Sequence, residues 1–244
     1  MATGGDSDKH ALTAVRLRGG LILYDPNRTD QPEPDFFDPE RWHARGLARP
    51  ADRGRGSAWF LDLDEGWVLR HYRRGGAVAR LVEDRYLFLG YGRSRPVREL
   101  RLLATMRALG LPVPAPVAAG VWRSGLSCRG DLISARVPGQ PLSVCLDQHV
   151  EPEPWARLGE LIRRFHQHGV DHADLNLHNI LVAEDGSYHL IDFDRGRIRA
   201  PGPWQRRNIA RLQRSLRKCL GRRWEDEPGW RQCWLALEKA WAGV

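Results

Sequence analysis

Asp174, Asn179 and Asp192 are the side chains of this sequence whose types and spacing could do chemistry. They lie in the run VDHADLNLHNILVAEDGSYHLIDFDRG, which starts at Val170. Asn179 follows Asp174 by five positions, and Asp192 follows Asn179 by thirteen, across one predicted β-hairpin. All three present only oxygen or amide groups. Carboxylate and amide oxygens suit a hard ion such as Mg2+, whereas Cys or Met would not. Metal charge held there would neutralise a phosphoryl group in transfer, and a remaining carboxylate would orient the attacking oxygen. The run therefore reads as a phosphoryl-transfer site written on two strand ends. An isolated Asp-x4-Asn is an ordinary polar turn. Here His172, the apolar Ile180-Leu181-Val182 and Ile191-Asp192-Phe193-Asp194 stand in register with it.

That register is similar to the catalytic-loop and metal-loop pattern of protein-kinase-like folds. The resemblance implies Asp174 as the residue that receives the acceptor proton, with Asn179 and Asp192 as magnesium ligands. It gives His172 a structural task, bonding loop backbone. Strands are expected from Asn179 to Ala183 and from Tyr188 to Asp192. An amphipathic helix from Trp155 to His168, with Trp155, Leu158, Ile162 and Phe165 inward, leads through Gly169 into the loop. His166 and His168 read as helix-face residues, not metal ligands.

Upstream, Ala58 to Leu63 and Trp67 to Tyr72 read as strands around the turn Asp64-Glu65-Gly66. Gly54, Gly56 and Ser57 enter the first strand, where a nucleotide-binding loop would lie; glycines there let backbone N–H groups approach phosphates. Arg70 is the candidate cation for the α/β-phosphates. A Lys is usual at that place; Arg keeps the charge and binds phosphate in a different geometry. Its candidate partner is Glu99, near the start of a helix from Pro96 to Leu109 with Leu100, Leu103 and Met106 on one stripe. Further strands are expected from Val113 to Trp122 and from Leu132 to Val137, and Pro138-Gly139-Gln140-Pro141 reads as a hinge. The first 50 residues read as a polar tail, a short strand from Leu21 to Tyr24, a Pro/Asp-rich loop, and a helical turn beginning at Trp42. The expected class is α+β: a protein-kinase-like two-lobed fold with a small N-terminal antiparallel sheet plus one helix and a mainly helical C-terminal lobe. Residues 1–137 would form the nucleotide-binding lobe and 138–244 the catalytic lobe.

At 244 residues the chain is long enough to bury a good core. Charged residues at 28% and ten Trp exclude a disordered or low-complexity protein. Cys128, Cys145, Cys219 and Cys233 form no CxxC pair and no zinc spacing, as expected of reduced thiols. No apolar core of signal-peptide type opens the sequence, and no run approaches the roughly 20 apolar residues that span a bilayer. A cytoplasmic protein, or one on a membrane from that side, is expected. Charge is uneven. From Arg195 to Trp224 there are 11 Arg or Lys and no acid, so this segment supplies the whole excess of +8. Within it, a helix from Trp204 to Leu220 carries Ile209, Leu212, Leu216 and Leu220 on one side. Arg206, Arg207, Arg211, Arg214, Arg217 and Lys218 lie largely on the other. Such a face suits an anionic partner.

The runs HADLNLHNIL, IDFDRG, WVLRHYRRGG and RELRLL followed by GLPVPAPVA resemble the 3-deoxy-D-manno-octulosonic acid (Kdo) kinases, lipopolysaccharide kinases of protein-kinase-like fold in Gram-negative bacteria. The similarity runs from about Gly54 to Leu220. It implies transfer of the ATP γ-phosphate, with Mg2+, to the 4-hydroxyl of a Kdo residue on a lipid A precursor, at the cytoplasmic face of the inner membrane. By motif position Asp174 is the catalytic aspartate, Asn179 and Asp192 are magnesium ligands, and Arg70 with Glu99 anchors phosphate. Ala173 and Asn176 replace the Arg and Lys of the wider kinase pattern, and Asp194 stands where a Gly would follow Asp192-Phe193. These departures, and the short chain after Asp192, argue against a Ser/Thr protein kinase.

The core motifs alone leave acceptor choice open among Kdo, heptose and small molecules of the aminoglycoside or choline type. A lipid-binding pseudokinase scaffold draws support from Arg70, but a non-enzyme has no chemical reason to keep the complete metal and base set. Specific nucleic-acid binding is not expected, since the basic helix lacks aromatic residues interleaved for base stacking. No protein partner is inferred.

Overall fold

The structure, a computed structural model, describes residues 11–51, 58–63, 65–72 and 86–244. Gly54, Gly56 and Ser57 of the expected nucleotide loop, and Asp64 of the expected turn, lie outside these residues. Two compact units divide the chain: Met1–Ala108 with Pro114–Arg136, and Leu109–Val113 with Val137–Val244.

The first unit is built on an antiparallel sheet. Its strands are β1 (Thr13–Leu17), β2 (Gly20–Tyr24), β3 (Ala48–Pro50), β4 (Ala58–Leu61), β5 (Trp67–His71), β6 (Tyr86–Leu87), β7 (Pro116–Ser124) and β8 (Ser127–Ala135). The order is β1-β2-β7-β8-β5-β4-β3, with β6 also paired to β8. Among the described residues, α1 (Pro39–Ala44) and α2 (Arg95–Ala108) accompany it. The period-two alternation of a strand assigns the faces of β5. Trp67 and Leu69 join Ile22, Phe37, Leu61 and Ile133 in one cluster. Arg70, and Tyr72 just beyond the strand end, take the opposite parity and meet α2. That helix buries Val97, Leu100, Leu103 and Met106 and packs on β7 and β8. Each such side chain stabilises the unit by about 1.5–3 kcal/mol.

Among the elements that differ from expectation, three do so for a clear physical reason. β1 falls in the supposed polar tail. It is an edge strand paired to β2 alone, and its apolar signal is short: only Val15 and Leu17 turn partly toward the core. β8 begins at Ser127 instead of Leu132. Its polar start, Ser-Cys-Arg-Gly-Asp, is carried by a two-residue hairpin turn in which Gly125 takes a φ of 61°. α1 starts at Pro39 and not Trp42, because the Asp38 carboxylate caps it by accepting from Glu40 N–H at 3.0 Å.

The second unit is mainly helical. Its helices are α3 (Pro152–Gln167), α4 (Trp204–Leu220), α5 (Arg223–Asp226) and α6 (Gly229–Ala242). Between them run short strands: β9 (Gln140–Pro141), β10 (Val170–Asp171), β11 (Ile180–Val182), β12 (Tyr188–Leu190) and β13 (Arg197–Ile198). The stripe Trp155, Leu158, Ile162 and Phe165 is buried, as its spacing predicts. α6 lies along it so closely that a Cβ on Gly159 would stand 2.3 Å from Leu237 O. α5 and α6 were not anticipated, although Trp230, Cys233, Trp234 and Leu237 repeat at helical spacing and are buried. The class is α+β, with an antiparallel sheet and one long helix in the first unit and helices dominating the second. Among the described residues no helix is long and apolar enough to cross a membrane.

Candidate functional site

α3 delivers the chain to the loop through Gly169. Its φ is 72°, and a Cβ there would meet Arg199 O at 2.4 Å, so the position needs glycine on two counts. β10 then pairs with β13, Val170 opposite Ile198 and Asp171 opposite Arg197. Asp171 is buried and fully engaged: Oδ1 accepts from Asn208 Nδ2 at 3.0 Å, and Oδ2 pairs with Arg199 Nη1 at 3.0 Å. A buried carboxylate must be satisfied in this way or it costs several kcal/mol.

His172 comes next and is 2% exposed. Burial holds its imidazole below the ordinary histidine range, so the ring is neutral at neutral pH. Nε2 lies 2.9 Å from Ile191 O, a carbonyl that can only accept, so the proton sits on Nε2. The backbone N–H of His172 donates to Asn208 Oδ1 at 3.1 Å. Its ring also rests 4.4 Å from Phe193, which in turn stacks on Phe165 at 6.2 Å. These contacts tie the loop carrying Asp174 to the segment carrying Asp192.

Between His172 and Asn179 the backbone is fixed from inside and outside. Asp174 O accepts from Asn176 Nδ2 at 2.9 Å and from Asn179 Nδ2 at 3.0 Å. Asn176 Oδ1 accepts from His178 N–H at 2.9 Å. Leu175 and Leu177 are buried anchors, and Leu177 N–H donates to Ser215 Oγ of α4 at 3.2 Å. The Asp174 side chain is half-exposed, with Arg211 Nη1 of α4 at 2.6 Å from Oδ1. His178 points to Ser143, Nδ1 to Oγ 2.8 Å.

The thirteen-residue interval between Asn179 and Asp192 has a geometric cause. β11 and β12 pair Ile180 with Leu190 and Val182 with Tyr188. The ladder continues as Ile191 N–H to Asn179 O at 3.0 Å. Asn179 and Asp192 therefore emerge at the same end of one hairpin. Asn179 commits its amide nitrogen to Asp174 O, which leaves the amide oxygen as the atom to offer a metal. Asp192 has a φ of 63°, the only positive φ outside glycine among the described residues. Left-handed backbone at a non-glycine concentrates at functional sites, and Asp tolerates it better than most residues. An amide oxygen plus a carboxylate is the sparse oxygen set on which Mg2+ relies when phosphates supply the rest. The donors present thus fit that ion.

In the first unit, Glu99 of α2 is 2% exposed and receives both Arg70 Nη2 and the Tyr72 hydroxyl. Arg70 Nη2 also lies 3.3 Å from the Tyr72 oxygen. A carboxylate buried among apolar helix residues survives there because the guanidinium and phenol satisfy it. The geometry thus brings Arg70 and Glu99 together, and Asp174, Asn179 and Asp192 together, in different units.

Sequence reasoning missed Tyr72, which shares the Arg70 face by period two. It also missed three contributions from α4: Asn208, Arg211 and Ser215, at helical spacings of three and four. Asn208 and Ser215 are polar residues beside the stripe Ile209, Leu212 and Leu216, and that interruption was the available signal. Arg211, counted with the solvated basic face, instead reaches Asp174.

Comparison with known proteins gives the family. Residues 40–239 match the model of the lipopolysaccharide kinase (Kdo/WaaP) family. The chain is 47% identical over 221 residues to a 3-deoxy-D-manno-octulosonic acid kinase of Stenotrophomonas maltophilia (strain R551-3), covering 87% of each chain. It is 45% identical over 239 residues to the protein of that name from Xanthomonas campestris pv. campestris (strain B100), covering 95% of each. Among solved structures, WbdD bound to the kinase inhibitor LY294002 is similar at 19% identity and a TM-score of 0.45, over 78% of this chain and 44% of that one.

Proposed function

The chain belongs to the lipopolysaccharide kinase (Kdo/WaaP) family, and we propose that it transfers the γ-phosphoryl group of ATP to the 4-hydroxyl of a Kdo residue on a lipid A precursor. The observation that carries the chemistry is the loop in which Asp174, Asn179 and Asp192 converge, held by His172 and α4. The similarity to Kdo kinases over nearly the whole chain supports the acceptor.

In this reading Asp174 orients the acceptor hydroxyl and receives its proton as the oxygen attacks phosphorus. The new O–P bond forms as the bond to the leaving oxygen of ADP breaks. Asn179 Oδ1 and the Asp192 carboxylate would hold Mg2+, which when bound supplies positive charge against the nucleotide phosphates. Arg70, fixed by buried Glu99 and by Tyr72, would pair with the α/β-phosphates. Neutral His172 keeps the Asp174 loop and the Asp192 segment in one frame. Asp192 takes its left-handed backbone just past the end of β12.

The same reading places the enzyme at the cytoplasmic face of the inner membrane, where its lipid acceptor and the leaflet are both anionic. Arg206, Arg207, Arg214, Arg217 and Lys218 are exposed on α4 and would face that surface. The test is incubation with ATP, Mg2+ and Kdo-bearing lipid A precursor, with the lipid read by mass spectrometry. A gain of one phosphoryl group, absent with Asp174→Asn, is expected. No gain while ATP still binds would overturn the Kdo assignment, and retained turnover by Asp174→Asn would remove Asp174 from the base role.

A further inference from the structure

Arg211 stands apart from the other contributions of α4 to the loop. Asn208 bonds the His172 N–H and the Asp171 carboxylate, and Ser215 accepts from Leu177 N–H. Those bonds hold the loop's frame. Arg211 touches no loop backbone; its Nη1 lies 2.6 Å from Oδ1 of Asp174 itself. It is also half-exposed, so it is not a buried counter-ion that the fold requires. A fixed cation thus lies directly beside the carboxylate that must hold the acceptor hydroxyl.

A guanidinium has five N–H donors in a rigid fork, and the bond to Asp174 uses one. The remaining donors match a second carboxylate in bidentate geometry. An acceptor oxygen sits within about 3 Å of the general base. Arg211 would then lie roughly 5–6 Å from that oxygen, counting one further hydrogen bond. An octulosonic acid carries its own carboxylate on C1, attached to ring carbon C2, and its 4-hydroxyl is two ring carbons away from C2. That separation matches the reach. Asn179 and Asp192 serve the nucleotide side of the reaction, so the cation beside Asp174 falls to the acceptor.

We propose that Arg211 is a specificity-determining residue that binds the acceptor's C1 carboxylate while its other edge stays on Asp174. The inference rests on the Kdo kinase reading and deepens it: Arg211 selects an acidic sugar over a neutral one such as a heptose. It also gives the base and the acceptor a common anchor. The hydroxyl is brought to Asp174 by the same side chain that reads the carboxylate.

The test uses the full chain with saturating ATP and Mg2+ and two acceptors, the Kdo–lipid A precursor and its C1 primary amide. For the wild type, kcat/KM should fall roughly 10- to 100-fold on the amide, chiefly through KM, as expected for a lost charge-assisted pair. Arg211→Gln lowers turnover on both acceptors through its lost bond to Asp174, but it should lose roughly 10- to 100-fold more on the acid, so its acid-to-amide ratio of kcat/KM falls to about one, while Arg211→Lys falls between. Equal wild-type kcat/KM on both acceptors overturns the proposal without any variant. So does a multiplicative loss when the variant meets the amide. A rise in KM for ATP in Arg211→Gln, with acceptor KM unchanged, overturns it in favour of a phosphate contact. No transfer by the wild type to either acceptor overturns the functional reading and this inference with it; the other outcomes leave that reading standing.

Discussion

Asn208→Ala is the perturbation that best isolates how α4 serves the catalytic loop. Asn208 is 4% exposed and spans two neighbours that are equally buried. Its Nδ2 donates to Asp171 Oδ1 at 3.0 Å, and its Oδ1 accepts the His172 N–H at 3.1 Å. Truncation leaves one lobe of a buried carboxylate and one buried amide N–H without these partners. Each orphaned group costs about 1–3 kcal/mol, the charged one toward the upper end. Arg199 still holds Asp171 Oδ2, so the carboxylate is not wholly unpaired. The sum is a loss of about 3–4 kcal/mol, a large part of a typical domain's stability. Urea unfolding would read this loss. Turnover on the Kdo–lipid acceptor should fall at least 10-fold in kcat, since misplacing a positioned base by about 1 Å is enough. Asn208→Asp is the control for the mechanism. It keeps an acceptor for the His172 N–H but sets a second carboxylate against Asp171, so at neutral pH it should be less stable than the alanine variant. A loss below about 0.5 kcal/mol with unchanged kcat would refute the idea that this side chain clamps the loop.

Two further outcomes are expected. His166 is held down to about 4 by burial, and Trp241 Nε1 donates to its Nδ1 at 2.8 Å. The unfolded chain, titrating near the ordinary 6.5, therefore binds more protons between those values, so His166's contribution is full above 6.5 and declines as pH falls toward 4. The gap is worth about 3 kcal/mol, to which buried His172 adds with the same sign. Urea unfolding between pH 4 and 7 should show a shallower slope in His166→Phe than in the wild type, and identical slopes would remove His166 from the acid response. For the membrane proposal, Arg206→Glu with Arg207→Glu and Arg214→Glu should weaken co-sedimentation with anionic phosphatidylglycerol vesicles on the order of 100-fold, at about 1 kcal/mol for each basic residue near the surface. Undiminished binding would sink the membrane face; Arg211 is left intact because it engages Asp174.

What could be read directly from the sequence was whatever a local period determines. The stripes of α3 and α4 declare their buried sides within a few turns, and Trp155, Leu158, Ile162, Phe165, Ile209, Leu212, Leu216 and Leu220 all lie inside. The spacing of Asn179 and Asp192 is likewise local, because an antiparallel hairpin returns the chain to its start after a fixed interval. Glu99 was legible as the partner of Arg70 only by the order of elements, since 29 residues separate them. β1 and the first half of β8 were not legible. Their residues pair with β2 and β7, but each run carries too few apolar residues for its alternation to declare a strand: Val15 and Leu17 in β1, Cys128 in the start of β8.

Arg211 shows why a charge run conceals its own exceptions. Six basic residues on one helix look alike in sequence, and their sum says only that the face is positive. Direction comes from spacing: Arg211 follows Asn208 by three and precedes Ser215 by four, so these three share a side that reaches the loop. Arg206 stands off that line, whereas Arg207 and Arg214 lie one turn to either side of Arg211 and are exposed. A polar residue lodged beside an apolar stripe, as Asn208 is beside Ile209 and Leu212, marks where the helix leaves simple packing and meets a buried polar group. From that mark the next residue one turn on, Arg211, is the one whose charge has a specific target. Composition merges two kinds of cation in this segment: most of those on α4 are exposed, while Arg211 pairs with the Asp174 carboxylate.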